Sequence, residues 1–399
     1  MSASLVGSEM CIRDRYMTCG NKKRILFVMQ SLYDGGAEKL LVDMLNNFDY
    51  SKYDIDLLLE HDFGNYANLV PLEVRKIILF YNINRPLLER MIGKIMSYFG
   101  LYYFYILFFR RQIIIDKMKG EKYDTIISFL EGRSLVYHSF ILKQGIRHLS
   151  WVHVDLFNFH WTKRYFKSNK HEKKCYELMD DVIFVSNDAK NKFQQLFNVT
   201  TSTKVIYNLI DCKTIVLRAN EFKVEKRKFT VCLVGRLVRQ KQFDSIIRVA
   251  RIFVDNGYDI DFWIVGAGCL ESDLSKMIHD LHLDDNVHLL GYKPNPYVYI
   301  KCADLFVSCS LAEGFSLVVA EALCLGKAIV STKTVGPVEL LGSNSEYGVL
   351  ADNDDESLYN AIKLFVNDYN KVFVYQDKAA KRSLMFDVEK TMNEIYSIL

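Results

Sequence analysis

Two glutamates, Glu313 and Glu321, stand with seven residues between them in 308–331, SCSLAEGFSLVVAEALCLGKAIVS. An uncharged run over 305–311 leads to Glu313 and Gly314, and 317–325 has helical spacing with small residues suited to close packing. The pattern predicts a strand end, a turn, a helix and another strand. Such a helix presents its N-terminus at the carboxyl edge of a parallel sheet. There the N–H groups of Gly314, Phe315, Ser316 and Leu317 lack intrahelical acceptors and form an anion site. A carboxylate on the turn and another inside the helix add acceptors for hydroxyl groups. One element can therefore hold phosphate and polyol together.

A second set of residues suits the same anion. Arg236 offers a planar fork of donors and Lys241 a compact charge, and both follow the apolar run 229–234 at Gly235. A helix predicted over 243–254 adds its dipole. Solvated basic residues on a loop are the plainer reading, since Arg239 lies there too. The run 260–265 closes at Gly266-Ala267-Gly268, small enough for a nucleotide to approach, and 287–290 leads to Gly291-Tyr292-Lys293. In the first half, Gly35-Gly36 follows the run 24–29 and precedes an amphipathic helix over 37–48. His153 sits just past the run 149–152, where a strand's carboxyl end delivers a side chain into a cleft. His160 reads as a solvated loop residue.

The elements that must position these groups alternate regularly. Apolar runs at 55–59, 76–81, 125–129, 149–152 and 182–185 are separated by helix-length segments, which is the grammar of a parallel α/β sheet. A chain of 399 residues, half of them hydrophobic, can bury two cores. We divide it into an extension at 1–20, a first domain at 21–210, a linker at 211–228, a second domain at 229–377 and a final helix at 378–399. The first sixteen residues lack the apolar core of a signal peptide and resemble translated adapter sequence fused to a gene starting at Met17.

The order and spacing of these pieces from about residue 23 onward resemble glycosyltransferase family 4, retaining enzymes of the GT-B fold with an E-x7-E signature. That resemblance implies two Rossmann-like doubly wound domains facing a cleft. It implies a nucleotide-diphosphate sugar, UDP-linked by preference, as donor, and a lipid-linked glycan as acceptor in surface-polysaccharide synthesis, with retention of configuration and without a metal cofactor. Glu313, Arg236, Lys241 and His153 would act at the reacting centre. Gly35, Gly36, Gly235, Gly266, Tyr292, Gly314, Phe315, Ser316, Leu317 and Glu321 would hold the donor, with Tyr292 beside the base and Glu321 on the ribose diol. Residues 208–211 resemble the family's N-G-I-D linker, with Leu209 in place of glycine. Two rivals share the fold: a nucleotide-sugar 2-epimerase, which needs no acceptor, and a non-catalytic partner subunit, which would be expected to lose Glu313, Arg236 or Lys241.

Composition narrows the partners. A net charge of +3 with no nucleic-acid-binding motif argues against DNA or RNA. Nine cysteines without a C-x-x-C pair fit a reducing cytosol. Residues 352–356, DNDDE, read as the cap and acidic first turn of a helix rather than a metal site. The segment 85–122 is unusual: Leu87, Leu88, Met91, Ile92, Ile95, Met96 and Phe99 recur at helical spacing, and LYYFYILFF precedes Arg110-Arg111. Its uncharged part, 95–109, is too short to span a bilayer. It suits an anionic membrane surface at the cytosolic face, or alternatively two core helices covering the first sheet.

Overall fold

The structure, a computed structural model, describes residues 22–33, 35–80 and 87–399, with the side chains of 87–90 left aside. The extension at 1–20 lies outside the described residues.

Strand β1 (Lys23–Met29) shows why its sequence is a continuous apolar run. Ile25, Phe27 and Met29 enter one core and Leu26 and Val28 enter another on the opposite face, so alternation of the side chains fills both layers. The first sheet contains β1, β2 (Tyr53–Leu59), β3 (Arg75–Ile78), β4 (Tyr123–Ser128), β5 (Gly145–Val152), β6 (Asp181–Phe184) and β7 (Ser202–Val205). All pairs are parallel, in the order β3-β2-β1-β4-β5-β6-β7. The second sheet has β8 (Phe229–Val234), β9 (Ile260–Val265), β10 (Val287–Gly291), β11 (Leu305–Ser308), β12 (Ala328–Thr332) and β13 (Val349–Ala351). Its order is β10-β9-β8-β11-β12-β13, again parallel. Strand order reverses between β1 and β4 and between β8 and β11, and ligands of such sheets bind outside the strand ends at those points.

One hydrophobic cluster runs through both domains, including Phe27, Leu41 and Trp151 of the first and Phe306, Phe315 and Val319 of the second. The chain returns at its end: the helix Val388–Ile398 brings Tyr396 into a stack on Tyr53, 5.2 Å between ring centroids. The Asp49 N–H donates to the Tyr396 hydroxyl at 3.0 Å, and Lys23 Nζ donates to the Leu399 carbonyl at 3.2 Å.

Several expectations need revision. Two helices, Tyr369–Ser383 and Val388–Ile398, replace the single final helix, and a helix Cys212–Arg218, capped by Asp211, occupies part of the linker. Cys212 and Cys324 form a disulfide, so the reading of all cysteines as reduced fails at this pair. His160 is not a solvated residue; its Nε2 lies 2.8 Å from the fully buried Glu172.

The segment 85–122 is three helices, Leu87–Tyr98, Tyr102–Phe109 and Arg111–Lys117; residues 85–86 lie outside the described ones. Neither reading of it survives whole. Tyr105, Ile106, Ile114 and Met118 are core residues, and Arg110, 2% exposed, sits over the Phe80 ring with its Nε 3.7 Å from buried Glu60. Arg110 is therefore not a lipid-facing cation. No helix among the described residues is long and apolar enough to cross a membrane.

Candidate active site

The loops after β8, β9 and β10 are knit together at the sheet edge. Gly235 N–H donates to Val265 O at 3.0 Å, Gly266 N–H to Gly291 O at 2.9 Å and Leu237 N–H to Ala267 O at 2.9 Å. Gly266 has φ +150° and lies so close to Gly235 that a Cβ would fall 1.9 Å from its carbonyl oxygen, so no side chain fits. Lys241 crosses Gly235, where a Cβ would meet its Cε at 3.5 Å, and forms an ion pair with Glu313. Arg236 is exposed, and among the described residues no carboxylate pairs with it. Tyr292 follows β10, half exposed, at the same edge.

Helix Leu317–Cys324 begins where the sequence predicts, after Ser316 in the left-handed region at φ 68°. Among the described residues, the N–H groups of Gly314, Phe315, Ser316 and Leu317 donate to no protein acceptor. They form a cluster of donors beside the Lys241–Glu313 pair. The Ser316 hydroxyl is also buried, with no partner among the described residues.

The first domain closes over this turn. Gly314 abuts the His153 carbonyl, where a Cβ would sit 2.0 Å away, and Ser186 Oγ donates to Gly314 O at 2.8 Å. Gly36 opens the helix Gly36–Asn46, and a Cβ there would meet Leu317 Cδ1 at 3.1 Å; Gly35 is its extended cap. The structure thus brings Gly35, Gly36 and His153 to the face of the second domain that carries Gly235, Lys241, Glu313 and Gly314.

His153 is held as a neutral ring. Its Nε2 donates to the Phe129 carbonyl at 2.9 Å, and burial pulls its pKa down to about 4 against the effect of that bond. Nδ1 is thereby the acceptor nitrogen. Beneath it Glu131 is 0% exposed and accepts from His153 N–H at 3.0 Å and Trp161 Nε1–H at 3.2 Å. Burial raises Glu131 to about 7 despite these donors, with the Glu38 carboxylate acting in the same direction.

Sequence reasoning missed Glu131, because nothing in the loop sequence FLEGRS at 129–134 signals its burial; only its position after β4, the switch-point strand, could have flagged it. It also missed Lys39 and Tyr297, which both donate to Glu321 Oε1, at 3.0 and 3.1 Å. Burial of the Lys39 amine opposes its charge, but Glu321 outweighs this and its pKa is raised. Glu339 accepts from the Asn187 N–H and side chain, both at 2.9 Å, and from the Tyr207 hydroxyl.

Two doubly wound parallel-sheet domains that meet at their strand ends have the GT-B architecture. Comparison with known proteins gives the same class. The model of the family described as Glycosyltransferase Family 4 matches residues 34–214, and that of Glycosyl transferases group 1 matches 217–382. The chain belongs to the GT-B glycosyltransferases of family 4.

Among relatives, an N-acetylgalactosamine-N,N'-diacetylbacillosaminyl-diphospho-undecaprenol 4-alpha-N-acetylgalactosaminyltransferase of Campylobacter jejuni is 32% identical over 222 residues, 54% of this chain and 60% of that protein. The chain thus matches less than two thirds of that relative's length. An uncharacterized glycosyltransferase of Haemophilus influenzae is 23% identical over 95% of this chain and 100% of its own length. Among solved structures, Anabaena HepE in complex with UDP and glucose superposes with a TM-score of 0.70 at 21% identity, covering 94% of this chain and 98% of that one. Staphylococcus aureus TarM gives 0.71 at 16%, covering 95% and 99%. At these identities the structures show the shared fold.

Proposed function

We propose that the chain transfers a hexosyl or N-acetylhexosaminyl group from a nucleotide-diphosphate sugar to a lipid-linked glycan, with retention of configuration, in the synthesis of exopolysaccharide, lipopolysaccharide or a related surface glycan. The observation that carries this reading is the Lys241–Glu313 pair beside the undonated N–H groups of Gly314 to Leu317. These groups and Arg236 concentrate positive potential where a diphosphate leaves. Glu313 accepts a donor-sugar hydroxyl and Glu321 the ribose diol through the oxygen that Lys39 and Tyr297 leave open. In the transfer, the bond from the anomeric carbon to the β-phosphate oxygen breaks and a bond to the acceptor oxygen forms on the same face. The acceptor proton passes to the departing phosphate. Positive charge from the protein makes a divalent metal unnecessary.

The UDP in the HepE complex and the diphospho-undecaprenol acceptor named for the Campylobacter relative support a UDP-sugar donor and a polyprenyl-linked acceptor, used at the cytosolic membrane face. The test is incubation of the protein with a panel of UDP-sugars and polyprenyl-diphosphate saccharides, with and without EDTA. A lengthened glycan whose new linkage keeps the donor's anomeric configuration, formed equally in EDTA, is expected. Stoichiometric epimerisation of the donor without acceptor would overturn the reading.

A further inference from the structure

The linker helix Cys212–Arg218 is bound to the second domain at both of its ends. At its start the Cys212–Cys324 bridge fastens it to the helix Leu317–Cys324, one turn beyond Glu321. At its finish the Arg218 guanidinium lies over the Tyr297 ring, 5.2 Å from the centroid, and donates to the Pro294 carbonyl at 2.7 Å. The Asn295 side chain donates to the Arg218 carbonyl at 2.8 Å and accepts from the Tyr297 N–H at 3.2 Å. Tyr297 in turn donates its hydroxyl to Glu321 Oε1. A closed ring of contacts thus runs from Cys324 through the linker helix to residues 294–297 and back to Glu321. Apart from the bridge, the links between segments in that ring are noncovalent.

Little else fixes this helix. From Asp211 to Arg218 only Ile215 is buried, and seven residues are too few for a helix to hold its shape without tertiary support. Both bridged cysteines are half-buried, within reach of a reductant. Among the described residues Cys175, Cys232, Cys269, Cys302 and Cys309 are unbridged. A single accessible bridge beside free thiols, in a chain large enough to fold without staples, is the pattern of a redox-responsive pair rather than of a disulfide scaffold. Burial pushes the Cys175 and Cys309 thiols up to about 12, and raises Cys232 as well, so these thiols compete poorly in exchange.

We propose that the Cys212–Cys324 bridge is a thiol–disulfide exchange site that tunes nucleotide binding. Bridged, the chain holds Tyr297 and Glu321 in place for the nucleoside of the donor; reduced by a dithiol, it binds the nucleotide more weakly. A thiolate of the reductant attacks one sulfur to form a mixed disulfide, and the other cysteine leaves as a thiolate. The second thiol of the reductant then displaces the protein sulfur, and the reductant departs as its own disulfide. Two electrons and two protons have passed to the chain, which holds two cysteine thiols. The proposal rests on the donor site of the proposed function and adds a control on it. By linkage the effect is mutual: the factor that the bridge adds to nucleotide affinity is the factor by which bound nucleotide protects the bridge from reduction.

The experiment titrates UDP, GDP and ADP calorimetrically into the full chain, purified without reductant, before and after treatment with dithiothreitol. Titrations are run in the cold, with near-ultraviolet circular dichroism recorded on each sample. The bridged chain is expected to bind its preferred nucleotide about 5-fold or more tightly than the reduced chain, within the range of coupling between sites. Cys212→Ser should match the reduced chain and ignore dithiothreitol. In buffers of reduced and oxidised dithiothreitol, saturating nucleotide should raise the ratio needed for half-reduction by the same factor, read by mass spectrometry of maleimide-trapped Cys212. Equal affinities in the two states, or a half-reduction ratio that nucleotide does not move, would overturn the proposal. So would weakened binding accompanied by loss of the near-ultraviolet signal, which marks a staple of the fold alone. A bridged chain that binds none of the three nucleotides would reject the donor reading and the proposal with it. One that binds nucleotide, with the expected response to reduction, but moves no sugar to any acceptor would reject the transferase reading alone.

Discussion

Lys39 of the first domain donates to Glu321 of the second at 3.0 Å, inside a contact that leaves Glu321 4% exposed. The bond joins helix Gly36–Asn46 to helix Leu317–Cys324 across the cleft. Removing one partner strands a buried carboxylate, whereas removing the charge of both does not. Lys39→Met should lower unfolding free energy by about 1–3 kcal/mol, the smaller side reflecting the partial exposure of the Lys39 amine. Adding Glu321→Gln should restore part of that loss. Urea unfolding of the singles and the double measures the coupling, and strict additivity would show that the pair is not an energetic unit.

Lys241 and Glu313 form the corresponding pair at the donor turn. If the Lys241 charge stabilises the departing diphosphate, Lys241→Ala should reduce kcat by about 10²–10³-fold with a smaller change in KM. Glu313→Ala should fall in the same range, and the double variant should be little worse than either single, because the two act together. Rates within threefold of wild type for either single would remove the pair from the reaction.

Gly314 packs directly against the first domain, and its neighbour there is backbone, the His153 carbonyl, which cannot swing aside. Gly314→Ala must therefore displace the turn or part the domains. A shift on the order of 1 Å at a reacting site costs about 10²-fold in rate. We expect that loss in kcat, together with a larger radius of gyration by solution scattering. An active, equally compact variant would mean that the contact is not maintained in solution.

What could be read from the sequence was local. The runs 24–29, 229–234 and 260–265 announce buried parallel strands because both faces are apolar, and Gly235, Gly266 and Gly314 announce backbone contact at strand ends. Glu313 stood out for its place on a turn before a helix. Partners far apart in the chain were hidden: Lys39 and Glu321 are 282 residues apart, and Asn187 and Glu339 are 152 apart. Arg110 and Arg111 look alike as a basic pair, yet adjacent helical positions point about 100° apart. One is buried against Glu60 and the other is exposed. The three-residue β13 was too short to carry a strand period.

The disulfide between Cys212 and Cys324 closes a separation of 112 residues and ties the helix within the linker to the end of the helix that bears Glu321. Cross-linking over so long a separation restricts the unfolded chain more than the folded one. Reduction is expected to lower unfolding free energy by about 2–4 kcal/mol. Urea melts with and without dithiothreitol test this, with Cys212→Ser as the control that should respond little to reductant. Equal wild-type midpoints in both conditions, or alkylation of both thiols in the folded non-reduced protein, would refute it.

Glu131 gives the fold a pH dependence of known sign. Burial raises its pKa from 4.5 to about 7, so between those values the folded chain keeps a proton that the unfolded chain releases. Its stabilising contribution is fully present below pH 4.5 and is lost as pH rises through 7, amounting to about 3 kcal/mol at most. His153, held down to about 4, acts oppositely: its contribution is present above 6.5 and lost as pH falls toward 4. A melt of the wild type alone mixes the two slopes. Glu131→Gln keeps an acceptor for the His153 and Trp161 N–H groups while removing the titration, so its stability relative to wild type should increase from pH 5 to pH 8. A difference constant over that range would mean that Glu131 is ionised throughout and that the His153 and Trp161 donors outweigh burial.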